Sequence, residues 1–349
     1  MPNCLKCGTA LAVNEEGVAP VLCDRCAGVA TGRARRTMAA GGLLLAPATA
    51  TLMAINIAVY IGMVVTGGFQ FSGEHLIRWG GNYGPLTISG EYWRLMTAGF
   101  VHGSIFHIGM NMWCLYSLGR LSEQLFGRWQ TFMIYMLTGV GGALLSVTWD
   151  PGRLSVGASG AVFGIAGAVV AGLKFGDLEI PEGQRRAVLS SVVMFAVLNF
   201  SLGGIGRTDN MCHLGGFITG LMLGLPLGAF ARKSGILQIA ILVITAAVLA
   251  AGYRELQQTK GADAQKTAAV LAWQLRDYAK AARLMEKYTV ARPEDADGLV
   301  FLGEAYANNH QPDKAIAALE QALRVNPNSE DAKQDLEQLR SRSLPSDQK

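Results

Sequence analysis

The sequence predicts an all-α polytopic membrane protein with a soluble appendage at each end. Three observations predict it. Half of the 349 residues are hydrophobic, and they crowd between about Thr49 and Tyr253 while both ends are polar. Inside that region, seven stretches approach the roughly 20 residues that cross a hydrocarbon core, and no long strand pattern competes with them. Beyond it, a helix-period pattern repeats every 34 residues. The formal net charge of +4 is too small to argue for nucleic acid, and the basic residues sit near span ends.

The first element, residues 1–28, carries Cys4-x-x-Cys7-Gly8 and Cys23-x-x-Cys26. Two such knuckles can present four thiolates tetrahedrally to one structural Zn²⁺. A redox dithiol or a pair of disulfides is the alternative; a cytoplasmic location, argued below, favours reduced thiols and metal. The segment resembles a zinc ribbon, too short to bury a core without its metal. It has charges and cysteines where a secretory signal would have an apolar run, so no cleavable signal is expected. Residues 29–46, rich in Gly, Ala and Arg, read as a tether.

The expected spans are 49–67, 104–122, 130–148, 157–174, 186–203, 210–230 and 235–253. Arg33, Arg35 and Arg36 precede the first. Arg120 and Arg128 follow the second, Lys174, Arg185 and Arg186 the fourth, and Arg232 and Lys233 the sixth. All fall on one side, which the positive-inside rule makes cytoplasmic. The N-terminus is then inside, the C-terminus outside, and the chain resides in a membrane of the bacterial inner (plasma) type. The first connection, 68–103, contains Tyr92, Trp93 and Arg94 and is long enough to have a job or a small structure of its own, a solvated connector being the alternative.

Polar residues inside spans are costly and usually functional. Ser159 stands in Gly157-Ala158-Ser159-Gly160 at the outer end of the fourth span, and His213 stands at a similar depth in the sixth. Gly160, Gly164 and Ala168 form one small-residue stripe; Gly216, Gly220 and Gly224 form another. Such stripes let helices approach closely, which permits a Ser159–His213 hydrogen bond and a nucleophile–base dyad. A histidine satisfied by a backbone carbonyl is the plainer reading of His213. His107 and Asn111, four apart, share a helix face and suit an oxyanion hole, or else act as polar glue between helices. His102 reads as a structural polar residue. Asp209 sits where an N-cap belongs, not as a third catalytic member. Cys114 and Cys212 read as packing residues. No H-E-x-x-H motif supports a metalloprotease, and no mid-span carboxylate supports an aspartyl protease or a proton-coupled transporter.

Together these pieces resemble the rhomboid family of intramembrane serine proteases, over about residues 47–230. They are Pro47, Thr49 and Asn56 at the first span, Trp93-Arg94 in the first loop, His107 with Asn111, the Ser159 tetrapeptide, and Asp209 through Gly216 with Gly220. Glu123 and Gly127 also fall where the family keeps an acid and a glycine. Cys212 departs from the alanine usual before the histidine, but a thiol is small and packs as a hydrophobe. The resemblance implies a six-helix core (47–230) with a cavity opening outward and a seventh helix (235–253) behind it. Ser159 would attack a peptide carbonyl of a transmembrane substrate and His213 would move the proton. The Ser159 N–H would hold the oxyanion with His107 and Asn111, with no cofactor in catalysis. The rivals are a catalytically inactive rhomboid-like protein that binds membrane clients, and a scaffold.

The last element, 262–340, pairs Ala281 with Ala315, Met285 with Leu319, Tyr288 with Ala322 and Pro293 with Pro327 at the 34-residue period. Leu299, Leu302, Gly303, Tyr306, Ala315, Leu319, Ala322 and Pro327 resemble a tetratricopeptide repeat, while the first copy is degenerate in its first helix. Such repeats stack into a groove for a peptide or protein partner; a plain helical hairpin is the alternative. Residues 329–341 suit a capping helix, and 341–349 a disordered tail.

Overall fold

A computed structural model describes residue 10 and residues 46–175, 182–203, 208–230 and 235–343. Contacts divide the chain into Met1–Pro47 and Ala48–Lys349. Of the first unit only Ala10, Ala46 and Pro47 are described, so Cys4, Cys7, Cys23, Cys26 and nearly all of the tether lie outside the described residues.

The second unit is nearly all helical. Helix α1 (Pro47–Gly67) leads into a connection holding three short helices: α2 (Gly73–Arg78), α3 (Gly84–Ile88) and α4 (Arg94–Thr97). The long helices α5 (Ile105–Phe126), α6 (Arg128–Trp149), α7 (Ser159–Phe175), α8 (Glu182–Gly203) and α9 (Asn210–Phe230) follow. Strands β1 (Asn82–Tyr83) and β2 (Leu154–Ser155) pair antiparallel, Asn82 opposite Ser155.

A helix stands at each of the seven expected stretches. Among the described residues, four helices can cross a bilayer by length and composition: Pro47–Gly67, Arg128–Trp149, Asn210–Ala229 and Gly235–Gln274. The stretch Ser159–Lys174 is a shorter apolar helix. Helices α5 and α8 have the length, but Arg120 and Glu123 in one and Glu182, Arg185 and Arg186 in the other dilute their apolar character.

Helix α7 is apolar around its whole circumference because protein surrounds it. Ala161, Val162, Ile165, Ala168, Val169 and Leu173 are all essentially inaccessible. The outer helices are the reverse: α1 buries Thr49, Leu52, Asn56, Tyr60 and Met63 and exposes Ile55, Ile57, Ile61 and Val65. Lipid is as apolar as these side chains, so packing and hydrogen bonds must hold the bundle together. Three polar links, buried or partly buried, contribute. The Glu123 carboxylate accepts the N–H groups of Ala48 (3.1 Å) and Thr49 (3.0 Å), which opening α1 would otherwise leave orphaned. Asn56 Nδ2 donates to the Tyr135 hydroxyl at 3.0 Å, and that hydroxyl donates to the Gly99 carbonyl at 3.1 Å. Between α5 and α6 the chain turns at Gly127, whose φ of +93° favours glycine.

The connection 68–103 is a built structure, not a solvated link. Arg94, 5% exposed, donates to the carbonyls of Ile77 (2.6 Å) and Gly81 (3.0 Å) and to Glu91 (2.6 Å). Asn82 Nδ2 donates to the Ala143 carbonyl of α6 at 2.9 Å, and its Oδ1 accepts from the Thr87 hydroxyl at 2.7 Å.

Helix α10 runs unbroken from Gly235 to Gln274. The sequence expectation placed the seventh span at 235–253 and the repeats from 262; the structure joins both in one helix. Residues 254–261 hold no proline and are mostly good helix formers, so nothing stops it. Its last turns pair with α11 (Tyr278–Ala291), and α12 (Ala296–Asn308), α13 (Pro312–Val325) and α14 (Glu330–Ser343) stack onward. The 34-residue period is visible in the turns. Arg276 (φ 59°) and His310 (φ 58°) occupy equivalent left-handed positions, and Asp295 and Ser329 equivalent caps. Gly303 is required by close approach: a Cβ there would lie 2.8 Å from Leu319 Cγ. Helix α14 includes Ser341–Ser343, the first part of the expected tail; the rest lies outside the described residues.

Candidate functional site

The site forms where α7 and α9 begin. Gly216 faces Gly160 so closely that a Cβ on it would fall 1.9 Å from the Gly160 carbonyl oxygen. Gly220 stands in the same relation to Gly164 (1.9 Å) and Gly224 to Ala168 (2.3 Å). The two small-residue stripes are therefore one interface. It sets the helices near backbone contact, and at its end His213 Nε2 lies 2.9 Å from Ser159 Oγ. The imidazole, 5% exposed, is stacked on the Phe163 ring at 4.4 Å between centroids. Packing on Phe163 thus helps fix the ring plane.

Asp209 caps α9: its Oδ1 accepts from the Cys212 N–H at 3.0 Å, and its other oxygen accepts from the Ser146 hydroxyl. Cys212 is buried, and its sulfur lies against Gly160, where a Cβ would come within 2.7 Å of it.

The turn before Ser159 is held from two sides. Gly157 adopts φ +117° and donates its N–H to the Ala98 carbonyl at 2.9 Å. A Cβ on Gly157 would come 2.5 Å from His107 Nε2 and 3.6 Å from Asn111 Nδ2, so both α5 side chains lie against the serine turn. Ser104 caps α5 by accepting the His107 N–H at 3.2 Å, which aims this face. Asn111 Nδ2 also donates to the His107 carbonyl at 3.1 Å.

His102 has a larger part than its sequence context suggested. It is wholly buried; its Nδ1 faces the Phe100 carbonyl at 3.2 Å, and its Nε2 accepts the Ala158 N–H at 3.4 Å. That pair of partners puts the ring proton on Nδ1. The ring therefore orders the peptide preceding the serine. No spacing rule connects residue 102 to residue 158, so the sequence held no signal for it. Among the described residues no group of His, Cys, Asp and Glu could hold a metal ion.

A hydroxyl hydrogen-bonded to a packed imidazole, with amide and imidazole donors beside the same turn, suits nucleophile–base chemistry. Its setting is a bundle of helices with apolar outer faces, so the class is a membrane-embedded helical protein. Residues 89–230 match the Rhomboid domain, and residues 296–329 match the Tetratricopeptide repeat. The chain is similar to the Rhomboid protease GluP of Bacillus subtilis (strain 168), 28% identical over 80% of this chain and 54% of that one. It is also similar to the Rhomboid protease AarA of Providencia stuartii, 29% identical over 58% of this chain and 79% of that one. With RHOMBOID-like protein 5 of Arabidopsis thaliana it shares 39% identity over 41% of this chain and 46% of that one. The chain spans about half the length of GluP and of the plant relative.

Proposed function

We propose that this protein is an intramembrane serine endopeptidase that cleaves transmembrane protein substrates. The observation that carries the reading is the 2.9 Å contact between Ser159 Oγ and His213 Nε2 at the end of the glycine interface. Ser159 attacks the scissile carbonyl while His213 takes its proton and later returns it to the leaving amine. The Ser159 N–H, His107 and Asn111 stabilise the oxyanion. The test is cleavage of a single-span reporter by the purified chain: wild type cleaves, and Ser159→Ala and His213→Ala do not. A non-additive double variant is expected because the pair acts as one unit. Cleavage retained in either single variant removes that residue from its role.

The rest of the reading is built around this core. Six helices form the protease and α10 adds a seventh span, with the N-terminus cytoplasmic and the repeats outside, as the loop charges require. The repeats take a peptide or protein partner. Cys4, Cys7, Cys23 and Cys26 hold one structural Zn²⁺, a reading that rests on their spacing. Elemental analysis should find one zinc per chain, lost on Cys→Ser substitution at these positions, while reporter cleavage persists.

A further inference from the structure

Helix α10 and the repeats that follow it grip the segment that holds the serine strand. Tyr253 donates its hydroxyl to the Thr87 carbonyl at 2.8 Å, and Gln257 Nε2 donates to the Ile88 carbonyl at 3.1 Å. Leu86 of α3 is buried in the same cluster as Ala268, Ala272, Ala281 and Met285 of the repeats. The most direct link is ionic. Lys280 Nζ of α11 lies 2.7 Å from one oxygen of Glu91, and Arg94 lies 2.6 Å from the other.

Arg94 is the buried residue that ties down the Ile77 and Gly81 carbonyls. The next residue, Asn82, pairs with Ser155, two residues before Gly157 and four before Ser159. A continuous path of hydrogen-bonded groups therefore runs from α11 to the serine turn. Each step is a short polar contact, a backbone pairing or a stretch of one or two covalently linked residues.

Burial alone would raise the Glu91 pKa, but the hydrogen bond from Lys280 and the charge of Arg94 outweigh it and hold the carboxyl below its ordinary value. Glu91 is thus ionised at neutral pH and can serve both cations. Removing Lys280 leaves a half-buried carboxylate with one partner, free to draw the Arg94 guanidinium away from the Ile77 and Gly81 carbonyls.

We propose that Lys280 is a positioning residue for the reaction: through Glu91, Arg94 and the β1–β2 pair, the repeat domain sets the geometry of the Ser159 turn. The repeats then govern turnover and do not merely collect substrate. This rests on the protease reading given above. It adds that a ligand displacing α11 from Glu91 slows the chemical step.

Two measurements on the full chain in detergent test it. The first is amide hydrogen exchange, which does not depend on activity. In Lys280→Ala, exchange at residues 82–83 and 154–158 should rise at least severalfold. In Lys280→Arg, and in Lys287→Ala of an exposed lysine on the same helix, it should match wild type. Unchanged exchange in Lys280→Ala overturns the path, whatever the reporter does. The second is reporter kinetics. Lys280→Ala should lower kcat on the order of tenfold with KM unchanged, and Lys280→Arg should restore it. A raised KM at unchanged kcat would mean that the repeats only recruit substrate, and the proposal fails. Equal inactivity of wild type and Ser159→Ala would instead sink the protease reading, leaving the exchange result to decide the coupling.

Discussion

Replacing Gly216 by alanine should damage the site without altering Ser159 or His213. The added Cβ would fall 1.9 Å from the Gly160 carbonyl oxygen. An ordinary carbon–oxygen contact is about 3.3 Å, so the two helices must part by about 1.4 Å at that level. Gly160 adjoins Ser159, and Gly216 is one turn from His213, so the separation is felt in full at the 2.9 Å contact between them. A gap opened by that much no longer supports a hydrogen bond. Misplacement of about 1 Å commonly costs on the order of 10² in rate. Overpacking should also destabilise the bundle by ~1–3 kcal/mol. The assay is reporter kcat beside a thermal melt in detergent. Gly109→Ala is the control: nothing beyond its own stretch of helix lies within 4 Å of its Cβ position, and alanine is the better helix former by up to ~1 kcal/mol. Its kcat should be unchanged and its Tm equal or higher. A Gly216→Ala protein with wild-type kcat and Tm would refute the argument that helix spacing sets the Ser159–His213 geometry.

Three other outcomes are expected. Asn111→Ala should lower kcat on the order of 10²–10³ while the protein stays folded, and a wild-type rate would reduce this side chain to helix packing. His102→Ala should slow cleavage less than loss of Ser159 and raise amide exchange at Ala158, whose N–H it accepts; unaltered exchange there would show that the turn orders itself. In the repeats, burial would raise the Asp295 pKa, but hydrogen bonds from Lys266, Tyr288 and the Gly298 N–H hold it at about 2. A folded value below the unfolded one stabilises at pH above about 4 and is lost as pH falls through about 2. Because the partner Lys266 is partly exposed, the contribution is at most ~1 kcal/mol. Asp295→Asn, which keeps a capping side chain, should lose less Tm than wild type between about pH 5 and pH 2; a parallel loss would show the pair contributes nothing.

The features readable from sequence were those carried by local periodicity. Gly160, Gly164 and Ala168 announce a close-packing face by recurring every fourth residue, and so do Gly216, Gly220 and Gly224; in the structure they meet. Arg276 and His310 inherit one turn geometry from the 34-residue period. What could not be read depends on partners far apart in the chain. Lys280 meets Glu91 across 189 residues, and His102 meets Ala158 across 56; neither leaves a pattern in its own neighbourhood. The continuity of α10 was missed for another reason. The change from apolar to polar residues near Tyr253 marks a change of surroundings, and a helix survives that change when nothing in it breaks hydrogen bonding.

That continuity has a consequence for concentration. Forty residues of helix make a rod about 60 Å long. Had a pliant link of about 20 residues joined the repeats to the bundle, they would wander over roughly 25 Å, diluting whatever they carried through that volume. On a rod braced at Thr87 and Ile88 they have no such sphere to explore. A guest held by the repeats is presented at one height and one bearing. Its local molarity near the bundle is then high if its length fits that offset and negligible if it does not.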